Sequence, residues 1–172
     1  MVRKLNKKSR FLSTKENNKL LKNKKGPNGY RLCRWCETEV EPPRRTFCSE
    51  KCVHEWSLRS NNRYLREYIY RYQRGICSLC GLDTRLLRIK IEDKIADLLG
   101  KYGEGWEKSQ DWVSFLKNIK YTHKESGISL WHADHIKPVS DGGGMCGPEN
   151  FRTLCVPCHK EITKTWRKNR KS

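Results

Sequence analysis

Four close cysteine pairs constrain this chain more than any other feature. Cys33 and Cys36 form a C-x2-C, Cys48 and Cys52 a C-x3-C, and Cys77/Cys80 and Cys155/Cys158 two further C-x2-C pairs. A C-x2-C turn brings two thiolates to one tetrahedral ion, and two such turns complete a closed structural zinc site. Eight paired cysteines therefore predict two zinc ions. Disulfides are the competing reading, and close C-x2-C spacing in a chain kept in a reducing compartment disfavours it. Of the nine cysteines, Cys146 stands outside the pairs and is read as a bystander.

Cys33, Cys36, Cys48 and Cys52 lie within twenty residues and make a local knuckle. Cys77/Cys80 must then meet Cys155/Cys158 across 74 intervening residues, so the second zinc staples the start of a domain to its end. A metal staple suits this composition. The chain has 172 residues, 35% hydrophobic and 33% charged, which leaves little for a large apolar core.

The net charge of +18 is unevenly placed: residues 1–31 supply +10 and residues 160–172 supply +5, leaving +3 for the body between them. Basic arms of this kind bind polyanions, and nucleic acid is the commonest partner. A solubilising, disordered tail is the blander reading of the Lys/Asn-rich N-terminus. No apolar run is long enough to cross a bilayer, and the N-terminus has no signal-peptide core. The expectation is an intracellular chain with no membrane partner and no small-molecule cofactor.

Beyond the first knuckle, "SNNRYLREYIYRYQRG" places Tyr64, Leu65, Tyr68, Ile69 and Tyr72 at helical spacing, ending at Gly75. The tyrosines are read as core packing. An amphipathic helix is expected over 86–99 through Ile91, Ile95, Leu98 and Leu99. Another is expected over about 108–119, burying Trp112, Phe115 and Leu116. This pair reads as a supporting insertion at about 86–119. A strand from Ser129 to Ile136, a glycine loop, a short strand at about 151–154 and a helix from about 157 follow.

That last stretch carries the chemistry. "DHIKP", "PENFRTLC" and "CHKE" set Asp134, His135, Asn150 and His159 in an order that resembles the HNH endonuclease family. "GICSLCG" and "LCVPCH" resemble its zinc-stapled form. The resemblance implies a small, zinc-stabilised α+β fold. Its centre is a ββα-metal core, with added helices and an N-terminal zinc knuckle. The implied organisation is a basic arm at 1–31, a four-cysteine knuckle at 32–56, a nuclease domain at 57–168 and a basic tail at 169–172.

The implied activity is metal-dependent hydrolysis of DNA phosphodiesters. By position His135 resembles the general base, a task suited to an imidazole near neutral pKa. Asp134 and His159 resemble the ligands of one catalytic divalent ion, expected to be Mg2+ with Mn2+ as a substitute, acting as a Lewis acid. Asn150 resembles the residue that braces the hairpin and orients the base. Lys137, Arg152, Lys160 and Arg167 flank this set and are expected to meet phosphates. His132, two residues before Asp134, shares its strand face and stays outside the catalytic set. His54, beside Cys52, is a less simple zinc ligand than the fourth cysteine, and His123 reads as surface. The alternative function is a zinc-dependent nucleic-acid-binding module without catalysis. The compartment is the nucleus in a eukaryote and the cytoplasm otherwise.

Overall fold

A computed structural model of the chain describes residues 24–144 and 146–170. Most of the expected N-terminal arm, and the last two residues of the basic tail, lie outside the described residues. The chain divides into two compact units, one of Met1–Ile69 with His135–Phe151, the other of Tyr70–Asp134 with Arg152–Ser172.

The first unit opens with a two-residue antiparallel ribbon, β1 (Arg31–Leu32) and β2 (Glu39–Val40), with Arg31 opposite Val40 and Leu32 opposite Glu39. Helix α1 (Glu50–Ser60) follows. Its start is set by Ser49, whose hydroxyl accepts from the Cys52 amide at 3.2 Å. Such a side-chain cap satisfies one orphan donor of the first turn. The small core here is Cys33, Val40 and Cys52, packed by Trp35 and Phe47.

Helix α2 (Asn62–Gln73) buries Leu65 and Ile69, one turn apart. Of the tyrosines expected in the core, Tyr68 is half-buried, but Tyr64 is exposed and Tyr72 is 70% exposed. Two aliphatic residues at i and i+4 fill the inward stripe, and the exposed phenols lie on its flanks, where a hydroxyl can reach a polar partner. Tyr64, for example, is within 2.8 Å of His54 Nδ1.

The second unit is built on α3 (Thr84–Tyr102) and α4 (Gln110–Ile119), separated by a short 3-10 turn at Trp106–Lys108. Asp83 caps α3 by accepting from the Arg85 and Leu86 amides, so the helix begins two residues earlier than expected. Leu87, Ile91 and Leu98 from α3 meet Trp112 and Leu116 from α4, with Tyr121, Leu130 and Val156. Leu99, expected in that stripe, is 47% exposed because it falls about 100° around the helix from Leu98. A further helix, α5 (His123–Ile128), was not anticipated. It starts at a capping box in which Thr122 and Glu125 exchange side-chain and backbone bonds.

Strands β3 (Trp131–His135) and β4 (Phe151–Cys155) form a two-stranded sheet, and α6 (Val156–Asn169) follows β4 directly. In the second unit the Val156 amide donates to the Leu130 carbonyl at 3.2 Å, while Arg152 meets Asp134. Residue numbers rise on one strand as they fall on the other, so the strands are antiparallel. The result is a small mixed helix-and-strand fold with two four-cysteine groups that could hold zinc.

Candidate metal centres and hairpin site

The first four-cysteine group is Cys33, Cys36, Cys48 and Cys52, and the second is Cys77, Cys80, Cys155 and Cys158; in each, the sulfurs lie within 4.8 Å of one another. In the first, the Cys36–Cys48 and Cys48–Cys52 sulfurs are 3.4 Å apart and Cys52–Cys36 3.7 Å. In the second, Cys80 and Cys155 are 3.7 Å apart. A tetrahedral ion with bonds of about 2.3 Å needs sulfurs roughly 3.8 Å apart, so both sets fit zinc.

The local chain explains the fit. The C-x2-C turns at Cys33–Cys36 and Cys77–Cys80 fold their next amides back: Glu37 N–H to the Cys33 carbonyl, and Gly81 N–H to the Cys77 carbonyl. The residue closing each turn is left-handed, Glu37 at φ 61° and Gly81 at φ 72°; glycine adopts this at no steric cost.

Burial pushes the Cys52 thiol up to about 12 and raises that of Cys155 as well. At Cys77 burial acts the same way, but the amides around it outweigh it and hold the thiol at about 6. Zinc, which takes thiolates, would release protons from the raised group on binding. His54 is not in either set; its ring sits against Tyr64 and Tyr68.

In the second unit Asp134 faces both an arginine and a histidine. Its Oδ2 accepts from Arg152 Nε at 3.0 Å, with a terminal Arg152 nitrogen also at 3.0 Å. Its Oδ1 faces His159 Nε2 at 3.7 Å. His159 is in this position because α6 begins at Val156. Cys158 then belongs to the zinc set, and the next residue projects about 100° further round the helix. The His132 and His159 rings are 4.5 Å apart between centroids. Two ligands about 2.1 Å from one ion are separated by roughly 3–3.7 Å, so the Asp134–His159 pair is compatible with a shared divalent ion.

In the first unit, His135 packs on buried Phe151 with ring centroids 4.3 Å apart. Asn150 ties down the loop between the strands. Its Oδ1 accepts from the Lys137 amide at 2.8 Å, and its Nδ2 donates to the Lys137 and Gly143 carbonyls, both at 3.1 Å. Cys146 Sγ is 3.4 Å from the same Nδ2, and burial raises its thiol pKa.

Residues 120–165 match the HNH endonuclease family. The chain is 34% identical to the mouse (Mus musculus) DNA annealing helicase and endonuclease ZRANB3 over 83% of its own length and 14% of that protein's. It is 37% identical to the Bos taurus protein of that name, over 72% of this chain and 11% of that one. A solved structure titled as the human ZRANB3 HNH domain is 30% identical, covering 66% of this chain and 98% of that one, with a TM-score of 0.38. The chain belongs to the HNH endonuclease family. It spans about one seventh of the mouse relative's length.

The segment matched to the HNH family holds Asp134, His135, Asn150, His159, Cys155 and Cys158. Cys77 and Cys80 lie upstream of it, and the second four-cysteine group brings them to Cys155 and Cys158.

Of the four cations expected at phosphates, two have internal partners: Arg152 on Asp134, and Lys160 on Glu125 at 2.6 Å. Glu125 comes from α5, so missing that helix meant missing the pair; the T-x-x-E box at Thr122–Glu125 was the available signal. Arg167 lines a surface groove with His159, Lys160, Thr163 and Lys164 along α6. Lys137 is exposed at the start of the hairpin loop. His123 accepts from Trp112 Nε1 at 3.0 Å and so supports the helical core as well as facing solvent.

Proposed function

We propose that this chain is a metal-dependent endonuclease that hydrolyses DNA phosphodiester bonds. The observation that carries the reading is the approach of Asp134 Oδ1 and His159 Nε2 to 3.7 Å beside the Cys155/Cys158 zinc set. Both are donors suited to a divalent ion, one from a strand and one from a helix. When bound there, the ion would polarise the scissile phosphate and stabilise charge on the leaving oxygen.

The chain's own residues do the rest. His135 accepts a proton from water as its oxygen bonds to phosphorus and the bond to the leaving oxygen breaks. Phe151 fixes one face of that imidazole. Asn150 fixes the loop that follows His135 by holding Lys137 and Gly143. Arg152 holds Asp134 in place, and Lys137, Lys164 and Arg167 are among the cations placed to meet DNA phosphates. Thiolate-rich zinc sites suit an intracellular compartment, the nucleus in a eukaryotic cell.

The second reading, a zinc-dependent binding module, makes the opposite prediction in the same assay. Supercoiled plasmid is incubated with the zinc-loaded protein and Mg2+, Mn2+, Co2+ or Ni2+. Nicked circles are expected, with His135→Ala slower by about 10²–10⁴-fold at unchanged zinc content and DNA affinity. Wild-type protein that retards DNA yet nicks nothing with any of these ions would establish the binding module instead. An undiminished His135→Ala would remove that residue from the role.

A further inference from the structure

The first unit carries a basic groove on its two-stranded ribbon. The turn at residues 26–29 leads into it. Gly26 N–H donates to the Tyr30 carbonyl at 2.9 Å, and Gly29 N–H to the Gly26 carbonyl at 3.1 Å. Glu39 of β2 locks that turn. Its carboxylate accepts from the Asn28 and Tyr30 amides at 2.9 and 3.2 Å and from Asn28 Nδ2 at 2.7 Å. Glycine is required at position 26, because a Cβ there would overlap the Glu39 side chain. The Glu39 charge is thereby spent on the turn. The groove is lined by Lys25, Tyr30, Arg31, Arg44 and Arg45, with Val40 and Pro42 as its apolar part, and its lining holds no acid.

Two observations say what such a groove takes. Lys25 bridges to Arg31, and Arg31 pairs with Val40, so the three stand in one row across the ribbon. Like charges directly opposite one another on paired strands are destabilising, and an anion between them removes that cost. Among the described residues Lys25, Arg31 and Arg45 have no carboxylate partner. Arg44 has Glu50 at 2.8 Å, but Glu50 is 83% exposed and a pair of that kind contributes little. The second observation is Tyr30, 41% exposed at the same groove. A duplex keeps its base faces stacked on one another and would use only the cations. A single strand offers backbone phosphates and an unstacked base together.

We propose that this groove holds one unpaired DNA strand, with Lys25, Arg31 and Arg45 on its phosphates and the Tyr30 ring stacked on a base. The inference takes DNA as the polyanion from the reading above and adds which form of it the first unit binds. The volume of about 480 Å³ suits a nucleotide-sized group. Stacking on a phenol is tolerant of base identity, so the site selects strandedness and not sequence.

The test measures binding without cleavage, so its outcome is independent of the nuclease reading. The zinc-loaded full chain, with no added divalent ion, is titrated against a fluorescent oligothymidine of about ten nucleotides and against a duplex of the same length, followed by anisotropy. Tyr30→Ala is expected to weaken single-strand binding by about five- to a hundredfold, at unchanged zinc content, and to leave duplex binding as it was. Tyr30→Phe keeps the ring and should bind as wild type does. Where the alanine variant loses zinc, Tyr30→Leu keeps apolar bulk without a stacking face and carries the same expectation. Arg31→Ala and Arg45→Ala should each lower the slope of log affinity against log salt by about 0.7 on the single strand. Single-strand binding by Tyr30→Ala and Tyr30→Leu that equals wild type overturns the proposal. So does an equal loss on both substrates, which would make the groove a patch for duplex backbone. Arginine variants that keep oligothymidine affinity but lose polyglutamate would assign the groove to an acidic protein segment instead.

Discussion

Arg152 grips a single oxygen of Asp134 from two of its nitrogens, each at 3.0 Å. Both side chains are largely out of solvent, so this pair is held more firmly than an exposed one. Its effect is to fix the carboxylate's rotation and leave the other oxygen toward His159.

Arg152 should therefore act through Asp134 and not as a phosphate contact. Arg152→Ala is expected to slow cleavage about tenfold or more while leaving the salt dependence of DNA binding unchanged. Binding isotherms at several salt concentrations check this. A slope reduced by about 0.9 would return Arg152 to the phosphate role.

The hairpin loop depends on one amide and one missing side chain. A Cβ on Gly143 would overlap the Lys137 carbonyl and come within 2.9 Å of Asn150 Nδ2. Asn150→Ala and Gly143→Ala should each destabilise by about 1–3 kcal/mol, one through lost partners and the other through overpacking. Because both act on the same brace, the double variant should cost clearly less than the two costs added together. Thermal melts of the three variants provide the measurement.

Losing one zinc should not equal losing the other. Cys80 and Cys155, 75 positions apart in sequence, contribute sulfurs 3.7 Å apart to the second group, and that group anchors both ends of the helical unit. Cys77→Ser should leave one zinc per chain and abolish most helical circular dichroism. Apparent zinc contributions of roughly 10–16 kcal/mol in finger peptides exceed the stability of a small unit. Cys33→Ser should also leave one zinc but retain the helices of the second unit.

Trp112 is 1% exposed, stacks on Phe115, meets Trp106 edge-on and donates to His123. Trp112→Ala should cost about 3–5 kcal/mol. Trp112→Phe, which keeps most of the ring but not the donor, should cost clearly less, and denaturant titrations separate the two.

Deleting residues 1–23, which carry eight Lys/Arg against one acid, should flatten the salt slope of DNA binding and weaken it equally on unrelated sequences. Single-turnover cleavage of bound DNA should be unchanged. An unaltered slope would show that these charges do not engage the backbone.

The sequence by itself determined everything set by short spacing. Two cysteines three positions apart can close on one ion whatever surrounds them, so the thiolate pairs were legible as pairs. So were the helices about Ile91 and Trp112, because apolar residues at helical period have few other ways to be buried. The grouping was legible too, because four cysteines within twenty residues close on themselves and leave Cys77/Cys80 to Cys155/Cys158. Only the tertiary structure decided how the intervening chain brings the sulfurs of those two distant pairs within 4.8 Å. It also decided which face of α2 turns inward, placing Leu65 and Ile69 inside and Tyr72 outside. Charge pairing was the least legible. Arg152 and Lys160 read alike as cations near the site, yet each is matched to one carboxylate, Asp134 or Glu125. A side chain's charge is local in sequence, but its partner is chosen by whichever strand or helix folds against it.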